Sequence, residues 1–386
     1  MAAAAVVKKG DFMKITKLLG NEIKEHESKL RKLWKDCFGD TENYMDFYFD
    51  EKPKDSVVFA IFDEEMLCSM LWLNPYEMYV NGQRKDAYYI VGVATDQNYR
   101  SRGFMRSLLL ESFAFLYNKG DAFTYLMPAA EAIYAPYDFR FIYDKERLQV
   151  KEDLRIEEIS PYEVLSWKML SASEKENAVI FVNEILVQNF SLATARSVAY
   201  YDRLDHEMHA CNGEVIVFYE NGQMAGIVPF MQEEGQVEVA EAVFQHKVSI
   251  SVISAAIAKW YPEAKIGFLE SYSLDKQLSG EKKPMIMARI INMEQFLKVL
   301  TIDEDCSIII GVKDSFIKEN EGNYQITFES GMTHVMKTND PAEIIMDIAE
   351  WTSYFFGYYE SKREDLHLTD LKKIHKIKSK YINEIV

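Results

Sequence analysis

Residues 91–106 read Val-Gly-Val-Ala-Thr-Asp-Gln-Asn-Tyr-Arg-Ser-Arg-Gly-Phe-Met-Arg. An apolar run, predicted as a strand, gives way to a polar turn that passes through Arg100-Ser101-Arg102-Gly103 into an amphipathic pattern. Beyond Gly103, Met105, Leu108, Leu109, Phe113 and Leu116 recur at three- and four-residue spacing, as one buried helix face requires. The turn therefore lies at a helix N-terminus, where the first backbone N–H groups lack partners and the dipole favours an anion. Arg100 and Arg102 add positive charge at that end, and Gly103 lets a ligand approach the backbone. The pattern is a cradle for a pyrophosphate.

Two common phosphate sites are excluded. No Gly-x4-Gly-Lys-Ser/Thr run is present, and no Gly-x-Gly-x-x-Gly opens a strand–helix unit. The stretch Arg100-Ser-Arg-Gly-Phe-Met105 instead resembles motif A of the GNAT acetyltransferases, Arg/Gln-x-x-Gly-x-Gly/Ala after a bulged strand. Met105 departs from it, standing where a small residue is usual. Ala122–Met127 reads as a buried strand between Gly120-Asp121 and Pro128, and Glu131–Phe139 as a short helix leading into a strand over Phe139–Val150. This second segment resembles the Tyr-x-x-x-Gly-Phe run of the same enzymes, with Tyr134 and Phe139 matching and Asp138 at the usual glycine. The resemblance implies that Tyr134 protonates the departing coenzyme A thiolate. A phenol, with a pKa of about 10, is still protonated at neutral pH and suits that role. Tyr137 and Tyr143 are nearby competitors for it.

A chain of 386 residues suggests two or three domains, and 48% hydrophobic residues allow large cores. No run of eighteen apolar residues occurs, so no membrane span is expected. The opening Met1 to Lys9 is too short for a signal peptide and carries its charges on the wrong side. It reads as a disordered extension, with Met13 an alternative start. Cys37, Cys68, Cys211 and Cys306 are scattered without metal-ligand spacing, so a reduced, cytoplasmic protein with no metal is expected. A net charge of −17 argues against nonspecific nucleic-acid binding and suits a cationic acceptor such as an amine. Lys372, Lys373, Lys376, Lys378 and Lys380, with His375, read as the solvated face of a last helix.

Three regions follow one another. In residues 1–150, a helix capped by Asn21 runs to about Phe38, with Ile23, Leu30, Leu33 and Trp34 inward. Strands Ser56–Phe62, Met66–Val80 and Ala87–Thr95 are joined by turns at Asp63–Glu65 and Asn81-Gly82. Residues 151–280 echo that order: helices Glu174–Asn189 and Thr194–Leu204, strands Glu214–Tyr219, Met224–Gln232 and Gln236–Val243, a helix Val248–Trp260 and a strand Lys265–Leu269. The step into that last helix has no Arg-x-x-Gly, so this second GNAT-like region is not expected to hold coenzyme A. His206 and His209 share one helix side without a third ligand, as a surface pair does. Residues 281–386 form a small α+β unit: strands Met285–Asn292, Cys306–Val312 and Tyr324–Ser330, a helix Met293–Leu300, and a helix Pro341–Gly357 with Ile344, Ile345 and Ile348 inward.

In that last unit, Val312-Lys-Asp314-Ser-Phe316, Asn320–Tyr324 and Met287–Ile290 resemble the sterol-carrier-protein-like domain that closes the Eis (enhanced intracellular survival) acetyltransferases. The resemblance spans the chain beyond its first dozen residues. It implies an α/β (α+β) fold class: tandem GNAT-like domains plus a small sterol-carrier-protein-like α+β C-terminal domain. It also implies acetyl-CoA as donor, a primary amine as acceptor (an aminoglycoside or polyamine), and a homo-oligomer, a hexamer in the relatives. Contacts to coenzyme A carry over to the amides of Val93 and Thr95, to Arg100, Ser101, Arg102, Gly103 and Met105, and to Ala129 and Ala130. The terminal carboxylate of Val386 would act as general base. Two alternatives stand beside this one: acylation of a protein lysine or N-terminus, and a non-catalytic sensor of acyl-CoA or lipid.

Overall fold

The computed structural model describes residues 14–149, 161–233, 235–262, 264–269, 274, 281–358 and 370–384. The first strand, β1 (Ile15–Leu19), was not expected from periodicity; it lies antiparallel to β2 (Val57–Asp63). Between them stand α1 (Asn21–Glu25), α2 (Glu27–Phe38) and α3 (Glu42–Glu51). The single helix expected over 21–38 is thus two, broken at His26, whose backbone (φ −101°) leaves the helical region. Gly20, not Asn21, occupies the N-cap, and it offers no side-chain bond. β3 (Met66–Val80) and β4 (Gln83–Thr95) form a long hairpin closed by Asn81-Gly82, both with positive φ as a tight hairpin turn demands. Then come α4 (Phe104–Lys119), β5 (Phe123–Leu126), α5 (Glu131–Tyr134) and β6 (Arg140–Gln149).

Strand alternation sorts β3 and β4 between two cores. Leu71, Leu73, Tyr88 and Ile90 pack under α4 against Leu108, Leu109, Phe113 and Leu116. Met70 and Trp72 point the other way, onto Trp34, Tyr48 and Phe49 of α2 and α3. The expected α4 face is therefore the buried one, apart from Met105, which sits part-buried at the edge of the cluster.

The middle region echoes the element order of the first. It contains β7 (Tyr162–Ser166), α6 (Ala172–Asn189), β8 (Leu192–Thr194), α7 (Val198–Ala210), β9 (Glu214–Glu220) and β10 (Gln223–Glu233). β11 (Gln236–Val239), β12 (Val243–Phe244), α8 (Ile250–Ile257) and β13 (Lys265–Leu269) follow. Thr194, expected to open a helix, instead ends a strand. The helix starts at Val198 because the Ser197 hydroxyl accepts from the Tyr200 amide and fixes the cap there.

The last part contributes β14 (Glu281–Ile290), α9 (Met293–Leu297), β15 (Cys306–Lys313), β16 (Gly322–Glu329), β17 (Met332–Thr338), β18 (Ile344–Asp347), α10 (Ile348–Phe356) and β19 (Lys380–Tyr381). The helix expected from Pro341 begins only at Ile348, set by a capping box between Asp347 and Glu350. Ile344 and Ile345 alternate buried and exposed on β18, so Ile345 does not point inward. β15–β18 form a small sheet in the order β17-β16-β15-β18.

β14 belongs elsewhere. It is antiparallel to both β5 and β6 and fills the gap between them, within a sheet ordered β1-β2-β3-β4-β5-β14-β6-β13-β11-β10-β9-β7. The basic terminal segment is no helix face. Only a short turn forms at Asp370–Lys373, and Lys380 is buried, with β19 lying parallel to β8. Among the described residues, no helix is long and apolar enough to cross a membrane.

Candidate active site

β4 is irregular where the site begins. Its register against β3 shifts between the Met70↔Ala94 and Trp72↔Val91 pairs, so Gly92 and Val93 together oppose Leu71. Gly92 (φ +58°) makes this bulge. A Cβ there would lie 2.5 Å from Trp34 and 2.9 Å from Trp72, whose rings meet edge-on. β4 and β5 run parallel and pair only at Tyr88↔Thr124 and Tyr89↔Tyr125, so the two strands part beyond that point. In the second region β11 stays paired to β13 over all four of its residues, and among the described residues no such opening forms.

The turn after β4 presents the cradle. The Asp96 carboxylate accepts from the Asn98 amide, and Ser101 (φ +61°) and Gly103 (φ +83°) are left-handed. Alternating handedness of this kind turns successive N–H groups toward one side, where they suit an anion. Gly103 is the N-cap of α4 and supplies no side-chain bond, no acidic residue stands in the first turn, and a Cβ on Gly103 would meet nothing within 4 Å. Arg100 donates from Nε to the Thr95 carbonyl at 3.3 Å. Arg102 donates to the Asn98 carbonyl at 3.0 Å, and its guanidinium lies 4.7 Å from the Tyr99 ring centre. Arg100, Ser101, Arg102 and Gly103 are all exposed. This donor set fits the diphosphate of coenzyme A. Tyr99, whose hydroxyl donates to Asp63 at 2.7 Å, braces Arg102 and was missed in the sequence, where one aromatic among 23 tyrosines carries no signal.

Across the opening, Ala129 and Ala130 are exposed in the link from β5 to α5, and neither offers a polar side chain. Tyr134 ends α5. It is 8% exposed, shares a cluster with Ile90, Leu126 and part-buried Val93, and meets Phe139 edge-on at 5.9 Å. Burial pushes its phenol up to about 12. Competing Tyr137 and Tyr143 are only part-buried.

The usual glycine of this segment has a visible reason: Asp138 is left-handed (φ +67°). Aspartate tolerates that conformation better than most residues. Arg289 on β14 helps fix the turn. It is fully buried, donates to the Tyr137 carbonyl at 3.1 Å and to Asp314 at 2.7 Å, and lies 3.7 Å from Asp138. Asp314 also accepts from the Phe316 and Ile317 amides and from Asn320. The Asp314–Phe316 stretch read as a family signature is therefore a buried counter-charge behind the tyrosine turn.

Val386 lies outside the described residues, but the chain just before it is fixed. Tyr381, Ile382 and Glu384 are buried. Glu384 accepts from Thr194 (2.6 Å), Arg196 (3.0 Å) and Tyr200 (3.1 Å), while Asn383 bonds Lys145 and Glu241. Glu384 and Asn383 line a pocket of about 220 Å³ shared with α7, β3 and Lys52. His206 faces Glu51 and His209 faces Asp205, and among the described residues no cluster of three His, Cys, Asp or Glu could hold a metal ion.

The family described as acetyltransferase (GNAT) domain matches residues 23–142, and that described as sterol carrier protein domain matches residues 293–373. No curated protein matches the sequence. Among solved structures, the chain is similar to a probable N-acyltransferase, a conserved protein of unknown function from Enterococcus faecalis (20% identity, TM-score 0.76, 95% of this chain and 94% of that one). It is similar to a GCN5-related N-acetyltransferase from Anabaena variabilis (16%, 0.73, 97% and 100%) and to Eis1 from Mycobacterium abscessus (13%, 0.68, 97% and 100%). At these identities the likeness is one of fold.

Proposed function

For a chain that carries an acetyltransferase (GNAT) domain over residues 23–142 and a sterol carrier protein domain over residues 293–373, we propose an Eis-like enzyme that moves an acetyl group from acetyl-CoA to the primary amine of a small molecule. One observation carries this reading. The parting of β4 from β5, a helix N-terminus free of acidic groups, and a buried phenol all border one opening. Bound acetyl-CoA would supply the activated thioester.

The protein's own groups divide the remaining work. Arg100, Arg102 and the amides of Ser101, Gly103 and Met105 hold the diphosphate, by charge and by the unpaired N–H groups of the first helical turn. The amides of Val93 and Thr95 face the acyl arm, with Val93 aimed by the bulge at Gly92, while Ala129 and Ala130 bound the far side by backbone alone. The acceptor arrives as an ammonium and must lose a proton before its nitrogen attacks. The Val386 carboxylate takes that proton; the anchoring of Tyr381–Glu384 supports a tail held inside the protein. Tyr134 gives its proton to sulfur as the C–S bond breaks, and a phenol raised to about 12 remains protonated throughout the working pH range. Units of 1–150, 151–280 and 281–386 belong to the same reading, supported by family matches that fall inside the first and the last. A pocket of about 220 Å³ favours a small acceptor over a protein lysine.

The test is thiol release from acetyl-CoA across aminoglycosides, polyamines, amino acids and lysine peptides. It compares the native chain with Tyr134→Phe and with a chain lacking Ile385 and Val386. Tyr134→Phe should lower kcat by about 10²–10⁴ with acetyl-CoA affinity unchanged. Full turnover in that variant, or acetylation of no amine at all by the native chain, defeats the proposal.

A further inference from the structure

The pocket beside the C-terminal segment is bounded by Lys52 just after α3, by Tyr76 on β3, by Tyr200, Arg203 and Glu207 on α7, and by Glu384. Its ionisable groups can be paired off. Arg203 donates to Asp55 at 2.8 Å, Glu384 accepts from Arg196, and Glu77 from Arg84. One cation and one anion are left over.

The cation is Lys52, 4% exposed, whose ammonium donates only to the Tyr76 hydroxyl at 3.3 Å and reaches no carboxylate among the described residues. The anion is Glu207, half-buried, whose carboxylate makes neither a hydrogen bond nor an ion pair among the described residues. The two face the same space and attract each other across it, but they make no direct hydrogen bond or ion pair with each other. An unpaired charge out of water is costly unless a ligand supplies the counter-charge. A pocket holding one such group of each sign therefore complements a molecule that carries both.

We propose that this pocket binds a free amino acid, its carboxylate on the Lys52 ammonium and the Tyr76 hydroxyl, its ammonium on Glu207. Resting on the transferase reading above, the amino acid is the acetyl acceptor. A polycation would need surplus acidic groups here, and the pocket offers a balanced pair. Its position suits an acceptor site. Tyr76 lies across from Ala87, next to the last rungs that join β4 to β5. Rings Tyr89 and Tyr125, 5.2 Å apart, continue from Tyr76 to the point where the strands part.

The experiment measures binding by calorimetry of the full chain with each of the twenty L-amino acids and with its carboxamide, which keeps the ammonium and loses the carboxylate. At least one amino acid should bind ten or more times tighter than its carboxamide. Lys52→Met should erase that difference, and Tyr76→Phe, a milder change that removes only the hydroxyl, should reduce it. Glu207→Gln should weaken both members of the pair. Failure of every amino acid to bind, equal affinity for acid and amide, or a preference that survives both Lys52→Met and Tyr76→Phe overturns the assignment. Thiol release on the same preparation separates the two readings. Acetylation of diamines without amino-acid binding leaves the transferase and removes this pocket assignment. Lys52-dependent binding with no acetylation of any amine does the reverse.

Discussion

Replacing Gly92 by alanine tests the bulge as the element that aims the strand at its ligand. The cost has two parts that the structure separates. Holding a residue with a Cβ at φ +58° costs about 1–2 kcal/mol. The new methyl would also lie 2.5 Å from Trp34 and 2.9 Å from Trp72, both fully buried, and forcing such a group into a packed core costs about 1–3 kcal/mol more. The sum is about 2–5 kcal/mol. Gly103→Ala is the natural control. Its φ is +83°, but its Cβ would meet nothing within 4 Å, so it carries only the backbone part. Urea denaturation of both variants should therefore place Gly92→Ala about 1–3 kcal/mol below Gly103→Ala, with similar m-values. Acetyl-CoA binding should weaken in both, in Gly103→Ala by more than its smaller loss of stability explains, because the cradle approaches the ligand at that residue. Equal stability of the two variants would refute the packing argument, and native acetyl-CoA affinity in Gly103→Ala would refute the cradle.

Further outcomes follow from single contacts. Arg289→Met leaves Asp314 and Asp138 without their buried counter-charge and should cost about 3–5 kcal/mol in denaturant. Because Arg289 positions the Tyr134 turn and does not touch the cradle, kcat should fall while acetyl-CoA affinity holds, and Arg289→Lys should recover part of both losses. Lys380 is buried, and burial pulls its ammonium down from 10.5 to about 8. Its folded pKa lies below its unfolded one, so its charge weakens the fold below pH 8 and this cost is relieved as pH rises to 10.5. Lys380→Met should thus stabilise the protein by up to about 3 kcal/mol at pH 7 and by nearly nothing above pH 10.5, as read from denaturation midpoints across pH. Glu384→Ala strips the buried Arg196 of one partner and should loosen the terminal segment, seen as faster amide exchange at Tyr381 and Ile382.

The hairpin and the strand–turn–helix that follows it were legible because their signals are local. Asn81-Gly82 dictates a hairpin, the apolar spacing after Gly103 dictates a helix face, and Arg-x-Arg-Gly can be read without knowing any neighbour. Helix starts were misplaced wherever a cap outcompeted periodicity, as Ser197 did for Thr194 and Asp347 for Pro341. What could not be read are relations across long stretches of chain. That Arg289 would lie behind Tyr137, that Glu384 would meet Thr194, and that Lys52 would share a pocket with Glu207 are consequences of tertiary packing. Lys380 shows the same limit from the other side: as sequence it is one of several lysines on a polar tail, and only its pairing beside β8 makes it a buried charge.

The placement of β14 sets an order of events during synthesis. β5 and β6 emerge early, yet both are antiparallel to a strand that ends at Ile290. At roughly 5–20 residues per second, about 160 residues and roughly 10–30 s separate β5 from its completed neighbour. Until then the growing chain carries a gap in its sheet, with two strand edges open to pairing with other nascent chains. Arg289 also arrives only with that strand, so the turn bearing Tyr134 lacks its buried support until then. A first half released on its own would lack both the strand between β5 and β6 and the arginine that holds the Tyr134 turn.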